Sequence, residues 1–415
     1  MRAGPSQEEI RRHNLGTLLR FVHLRGPASR ATLAGALGLN RSTIMALTAD
    51  LTAAGLVREE LPRSPGRRAG RPSLVVRPES TRVYVLAFDV GVDRLGVARV
   101  GLGGEILDRR EAARERGPSG PSDPAELVGA LAAAARSLVR KAGRDSVCVG
   151  AALAFPGTVR RADDQIMFGP NLDIGDLALG EALSRRLGLG IPVSVCNDAN
   201  LGALAEHERG SGVGCDNLIY LHGDVGVGGG IIVGGRLLGG EEGFGGEIGH
   251  MVVNPGGRGC ACGSRGCLEA EVGERTLLAH AGREEVPGTA GRDAVRAVVD
   301  AADRGDIVAR DALHRVGTWL GWGVANLVNI FNPGLVVFGG TLRDVYLGSA
   351  AQVRSVLATG ALAAPREKVR LRTAALGDDT TLVGAAEFAF AEVLADPVQV
   401  LARLRAPEDA PVTST

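Results

Sequence analysis

The chain of 415 residues is 45% hydrophobic and 23% charged, which excludes a disordered protein and suits two or three domains. Its net charge of zero hides an asymmetry: residues 1–82 hold 14 Arg and 6 acidic residues, and the remainder reverses that surplus, so a basic head on an acidic body predicts nucleic-acid binding. No apolar run nears the ~20 residues of a membrane span, residues 1–10 lack a signal-peptide core, and the 61 glycines follow no collagen-like period, so a cytoplasmic protein rich in tight turns is expected.

Residues 7–24 carry Ile10, Leu15, Leu18, Leu19 and Val22 at helical spacing, ended by Gly26-Pro27. Ser29 can cap a short second helix with Leu33, Ala36 and Leu37 inward. Gly38-Leu39-Asn40 makes a tight turn, and Asn40 caps a third helix whose Ile44, Leu47 and Leu51 face the core. This is a helix-turn-helix, and it puts Arg41, Ser42 and Thr43 in the first turn that meets base edges. Two short strands follow, around Val57 and Val75, with a flexible basic tip between them. A winged module results, and its Arg67, Arg68 and Arg71 are placed to reach phosphates or the minor groove.

From Val83 the pattern changes. Val83 to Gly91 reads as a strand ending in Asp-x-Gly, with a return strand from Leu95 to Val100. A helix from Pro124 to Lys141 precedes strands at Val147–Phe155, 193–196, 217–221 and 335–338. Such alternation predicts an α/β body that holds ligands at strand C-terminal ends.

Three of the six cysteines lie within eight positions, which favours a metal over disulfides in a cytoplasmic chain. His250, Cys260, Cys262 and Cys267 give the order H-x9-C-x-C-x4-C. Three thiolates and one imidazole complete a tetrahedral Zn2+ shell and leave no position for water, so the predicted zinc is structural.

At Gly246-Glu247-Ile248-Gly249-His250 and the run from Gly259 to Glu269, the body resembles the ROK family (repressors, unassigned reading frames and sugar kinases). With the winged head, the whole chain is similar to that family's transcriptional regulators. The resemblance implies a two-lobed actin-like or hexokinase-like (ribonuclease H-like) α/β body with sugar in the cleft. It also implies that Asn171, Asn197, Asp198, Glu247, His250 and Glu269 line the sugar pocket. Asp198 matches the kinase base, and His250 would serve the zinc through one nitrogen and a sugar hydroxyl through the other.

Two loops depart from the kinases. The family's Asp-x-Gly-Gly-Thr is here Asp89-Val90-Gly91-Val92-Asp93, and its Gly-Thr-Gly-x-Gly is Asp224-Val225-Gly226-Val227-Gly228. Each phosphate loop has lost donors and gained a carboxylate, which opposes the stabilisation that phosphoryl transfer needs.

The sequence therefore predicts a winged helix-turn-helix domain over residues 1–78 and a ROK domain over 79–400 with a zinc loop at 246–269. A disordered tail is expected over 401–415. The expected function is a non-enzymatic transcriptional regulator, a repressor of carbohydrate genes that binds operator DNA as a homodimer or homotetramer and answers to a sugar or sugar derivative. The alternative is an ATP-dependent sugar kinase with an attached DNA-binding head.

Overall fold

The structure is a computed structural model that describes residues 6–61, 73–114, 123–169, 172, 174–283 and 291–405. The first helix, Gln7–Arg25, starts from a capping box in which Ser6 and Glu9 satisfy each other's backbone amides. Leu15, Leu18, Leu19 and Val22 are buried, whereas Ile10 lies outside the packed stripe and is exposed. Ser29 caps helix Arg30–Leu37 by accepting from the Thr32 amide at 3.0 Å. That two-turn helix offers the core Leu33, Ala34 and Leu37; Ala36, expected inward, is exposed.

Gly38 takes φ 66°, a left-handed turn that a side chain would strain, and Asn40 then caps helix Arg41–Ala53. Ile44, Leu47 and Leu51 of that helix are buried. Strands Val57–Glu60 and Val75–Pro78 pair antiparallel as a wing, and the short strand Ala28–Ser29 extends their sheet.

The body contains two five-stranded sheets with one topology. In the first, central Val83–Val90 pairs antiparallel with Arg94–Gly101, which pairs with Ile106–Ala113; on its other side run parallel Val147–Phe155 and Val193–Asn197. In the second, central Leu218–Gly223 pairs antiparallel with Val227–Val233, which pairs with Arg236–Leu237, and runs parallel to Leu335–Gly340, itself flanked by Arg370–Thr373. The tetrapeptide Asp-Val-Gly-Val stands at the first hairpin turn of both sheets, as Asp89 to Val92 and as Asp224 to Val227. The repetition makes a two-lobed α/β body.

Helix Thr380–Ala395 packs on the first sheet and helix Asp198–Arg209 on the second, and the two helices cross each other. Their contact is closest at Gly384, where a Cβ would lie 2.0 Å from the Leu201 carbonyl oxygen. One apolar cluster runs from Leu18, Ile44 and Leu51 of the head, through Val85 and Val100 of the first sheet, to Phe390 and Leu401. The helix Pro397–Arg405 therefore occupies residues 401–405, which were expected in a disordered tail, because Val400 and Leu401 bury against that cluster.

Candidate functional site

Strand Val193–Asn197 ends at the cleft, and Asn197 becomes the cap of helix Asp198–Arg209: its Oδ1 accepts from the Asn200 amide at 3.0 Å and its Nδ2 donates to the Gly157 carbonyl at 3.1 Å. Asp198 follows, with Oδ1 accepting from the Ala199 amide at 2.7 Å. Burial pushes its carboxyl up to about 7; the Ala199 amide opposes that, and the charges of Asp224, Asp89 and Glu247 add to it. Carboxylates from both lobes thus face Asp198.

Opposite, the 3-10 turn Ile248–His250 presses on the start of strand Val227–Val233, so closely that a Cβ on Gly249 would lie 1.8 Å from the Val227 carbonyl oxygen. Glu269 anchors the same place through Oε2, which accepts from the Val227 amide at 3.0 Å. Glu247 has His250 and Glu269 as its charged neighbours. Electrostatic proximity thus links Asp198 to Glu247, and Glu247 to His250 and Glu269, with Asn197 next to Asp198 in the chain. Asn171 lies outside the described residues.

A ring nitrogen of His250 and the Sγ atoms of Cys260, Cys262 and Cys267 lie within 4.8 Å of one another. Cys260 Sγ is 3.7 Å from His250 Nδ1, and Cys262 Sγ is 3.7 Å from Cys267 Sγ. A tetrahedral shell with metal–sulfur bonds of about 2.3 Å has edges of about 3.8 Å, so this group can hold a metal ion. The loop that carries it is drawn together by its own backbone, with the Cys260 amide donating to the Ser264 carbonyl at 2.9 Å and Glu271 Oε1 accepting from the Arg258 amide at 2.8 Å.

The two altered loops meet across the cleft, and Arg94, which the sequence reading passed over, stands between them. Its guanidinium lies 3.4 Å from buried Asp89 and faces the charges of Asp224 and Asp93. Burial raises the Asp89 carboxyl, while Arg94 opposes the rise. The signal was present in the sequence as a basic residue directly after Asp93. Alone in a hairpin turn, it says nothing of its partner on another lobe.

On the head, Arg41 and Ser42 are exposed in the first turn of helix Arg41–Ala53, and Thr43 is half-buried. Asn40 Oδ1 accepts from the Ser42 hydroxyl at 2.7 Å and from the Thr43 amide at 2.8 Å, which fixes that turn. Other head arginines are engaged in ion pairs: Arg30 with Glu59, Arg77 with Glu60, and Arg58 with Glu79. Arg67, Arg68 and Arg71 lie outside the described residues. Among the described residues, no helix is long and apolar enough to cross a membrane.

Residues 85–392 match the ROK family. A xylose repressor of Caldicellulosiruptor bescii is 28% identical over 382 residues, which cover 89% of this chain and 93% of that protein. The crystal structure of a ROK family transcriptional regulator, a homologue of the Escherichia coli Mlc protein, superposes with a TM-score of 0.75 at 25% identity, over 95% of this chain and 99% of that one. A ROK family glucokinase from Streptomyces griseus, solved with glucose and AMPPNP, aligns at 30% identity and a TM-score of 0.61 over 74% of this chain and 99% of its own.

Proposed function

Since the chain belongs to the ROK family, we propose that it is a DNA-binding transcriptional repressor of carbohydrate genes, controlled by a sugar in a cleft that no longer transfers phosphate. The observation that carries this reading is the reach of the similarity. It spans 89% of this chain for a xylose repressor, whereas the kinase relative aligns with only 74% of this chain. The protein would work in the cytoplasm, where its operator lies.

In this reading Arg41 and Ser42 meet base edges and Thr43 supports the turn, with Arg67, Arg68 and Arg71 on phosphates or in the minor groove. Two heads of a homodimer, or of a homotetramer, read a palindrome, which adds the affinity one small head lacks. Asn171, Asn197, Asp198, Glu247, His250 and Glu269 bind the sugar hydroxyls. Unpaired polar groups in such a pocket penalise a sugar of the wrong shape.

His250, Cys260, Cys262 and Cys267 would hold Zn2+, for which three thiolates and an imidazole are the preferred set. When bound, the ion would cross-link the loop. Nδ1 of His250 faces the cysteines, so Nε2 is left to a sugar hydroxyl. Asp198 stands where a kinase keeps its base. Arg94, engaged with Asp89, stands where nucleotide phosphate would need free donors. A coupling of about 1–3 kcal/mol between sugar and operator would change DNA affinity by roughly 5- to 150-fold.

The test is thermal denaturation with D-xylose, D-glucose and N-acetylglucosamine, each with and without Mg-AMPPNP. The expected result is a shift by one sugar that the nucleotide does not enlarge. A large shift only with sugar and nucleotide together, followed by sugar phosphate on exchange for Mg-ATP, would instead establish the kinase.

A further inference from the structure

Helix Asp198–Arg209 has one end in the sugar cleft and the other against the DNA-reading head. Its twelve residues span about 18 Å. At the cleft end are Asn197 and Asp198. At the far end Arg209 reaches the first helix of the head: Nη2 donates to the His23 carbonyl at 3.2 Å and lies 2.8 Å from His23 Nε2. The same guanidinium donates through Nε to Glu387 Oε1 and through Nη1 to the Gly103 carbonyl at 3.1 Å. Beside it, Glu208 pairs with Arg20 of the head.

His23 has no exposed surface, and neither does the side chain of Glu387. The Gly103 amide donates to His23 Nδ1 at 2.8 Å, which leaves Nε2–H to donate to Glu387 Oε2 at 2.9 Å. This is a neutral imidazole, and burial holds it so. Burial would push the Glu387 carboxyl up, yet the hydrogen bonds from His23 and Arg209 and the charge of Arg209 hold it low. The three groups come from the head, the cleft helix and the closing helix Thr380–Ala395, and they sit inside an otherwise apolar cluster.

An apolar joint here would hold the head at least as firmly, because buried ion pairs contribute little net stability. Directional hydrogen bonds instead admit one register of head on body. The helix between the two ends is a stiff link. Gly202 lies so close to the Tyr220 ring that a Cβ would be 2.4 Å from it, and Glu206 accepts the amides of Ser211, Ala375 and Leu376 at 2.7, 3.1 and 3.0 Å. A displacement of one end is therefore passed to the other.

We infer that Arg209, His23 and Glu387 form the joint through which the sugar pocket sets the posture of the DNA-reading head, with helix Asp198–Arg209 as the link. The inference rests on the sugar reading above, and they are positioning residues, without contact to sugar or DNA.

The test is amide hydrogen exchange on the full-length chain at residues 7–25, with strand Leu335–Gly340 of the second lobe as internal control. Wild type is compared with the double variant Arg209→Gln, Glu387→Gln, which removes both charges together and leaves no lone buried ion. The probes are D-xylose and D-glucose, and the melting temperature reports occupancy of the pocket separately. The expected result is the same melting shift in both proteins, with about a fivefold change in exchange at residues 7–25 in wild type only. A full change in the double variant overturns the joint.

If neither of these sugars nor N-acetylglucosamine shifts melting in wild type, the sugar reading fails, and Asn197→Ala tests the link by itself. Loss of that cap speeds exchange at residues 7–25 on the wild-type background but not on the double-variant background; equal acceleration on both overturns the joint. Should the double variant fail to fold, Arg20→Met with Glu208→Gln, which removes both charges of the neighbouring tie together, replaces it. About half of the wild-type response to sugar, or to Asn197→Ala, is then expected, and an undiminished response counts against the joint.

Discussion

Cys267 has no exposed surface, while Cys262 beside it is exposed. The buried thiol is packed inside the loop, and the exposed one lies 3.7 Å from it at the surface. If these residues hold zinc as proposed, Cys267→Ser is expected to lose the metal and to destabilise the protein by about 3 kcal/mol or more, as seen by metal analysis and urea denaturation. Asp198 gives the opposite sign. Its folded carboxyl, pushed up to about 7 by burial and by acidic neighbours, titrates above that of the unfolded chain, so its cost is absent in acid and grows as pH rises from about 4 to 7. The span from 4 to 7 corresponds to at most about 4 kcal/mol, and partial exposure trims it. Asp198→Asn should therefore stabilise the protein by about 1–3 kcal/mol at pH 8, and the gain should shrink at pH 5 when urea midpoints are compared.

At the scale of elements, the crossing of helices Asp198–Arg209 and Thr380–Ala395 depends on a missing side chain. Gly384→Ala puts a Cβ against the Leu201 backbone, where no flexible atom can yield, and is expected to cost about 1–3 kcal/mol by thermal denaturation. Elements whose signals are local were legible in the sequence. Leu15 to Val22, Ile44 to Leu51, and the Asn40 cap each announce themselves within one or two turns. The metal group was legible for the same reason, since its four ligands fall in eighteen consecutive residues. Strand Ile106–Ala113 was not, because its outer half is exposed and its Arg-Arg-Glu run carries no apolar alternation. The joint at His23 was invisible for a different reason. Its partners stand 80, 186 and 364 residues away in sequence, and a single histidine in a helix has no pattern to join. Arg94 pairs locally, with Asp89 five residues before it, and only its approach to the charge of Asp224 lay beyond the reach of a local pattern.

Over the whole molecule, the head and the first lobe share one core. Leu18 and Ile44 belong to the same apolar cluster as Val85 and Phe390, so the expected border near residue 78 separates functions more than it separates packing. Scanning calorimetry should accordingly find no early transition for the head alone: head and first lobe should melt together, and the second lobe, built on its own cluster around Val316, Leu320 and Phe338, is the part free to melt apart. An independent low-temperature melting of residues 7–78 would contradict that shared core.

That sharing has a consequence during synthesis. The residues that finish the head's core, from Leu382 to Leu401, follow the helix Arg41–Ala53 in the chain by more than three hundred positions and are synthesised long after it. A nascent or prematurely terminated chain carries the recognition helix without the scaffold that holds it. Competence to occupy an operator is therefore expected only once synthesis has passed Leu401, and products truncated before it would not compete with the longer chain.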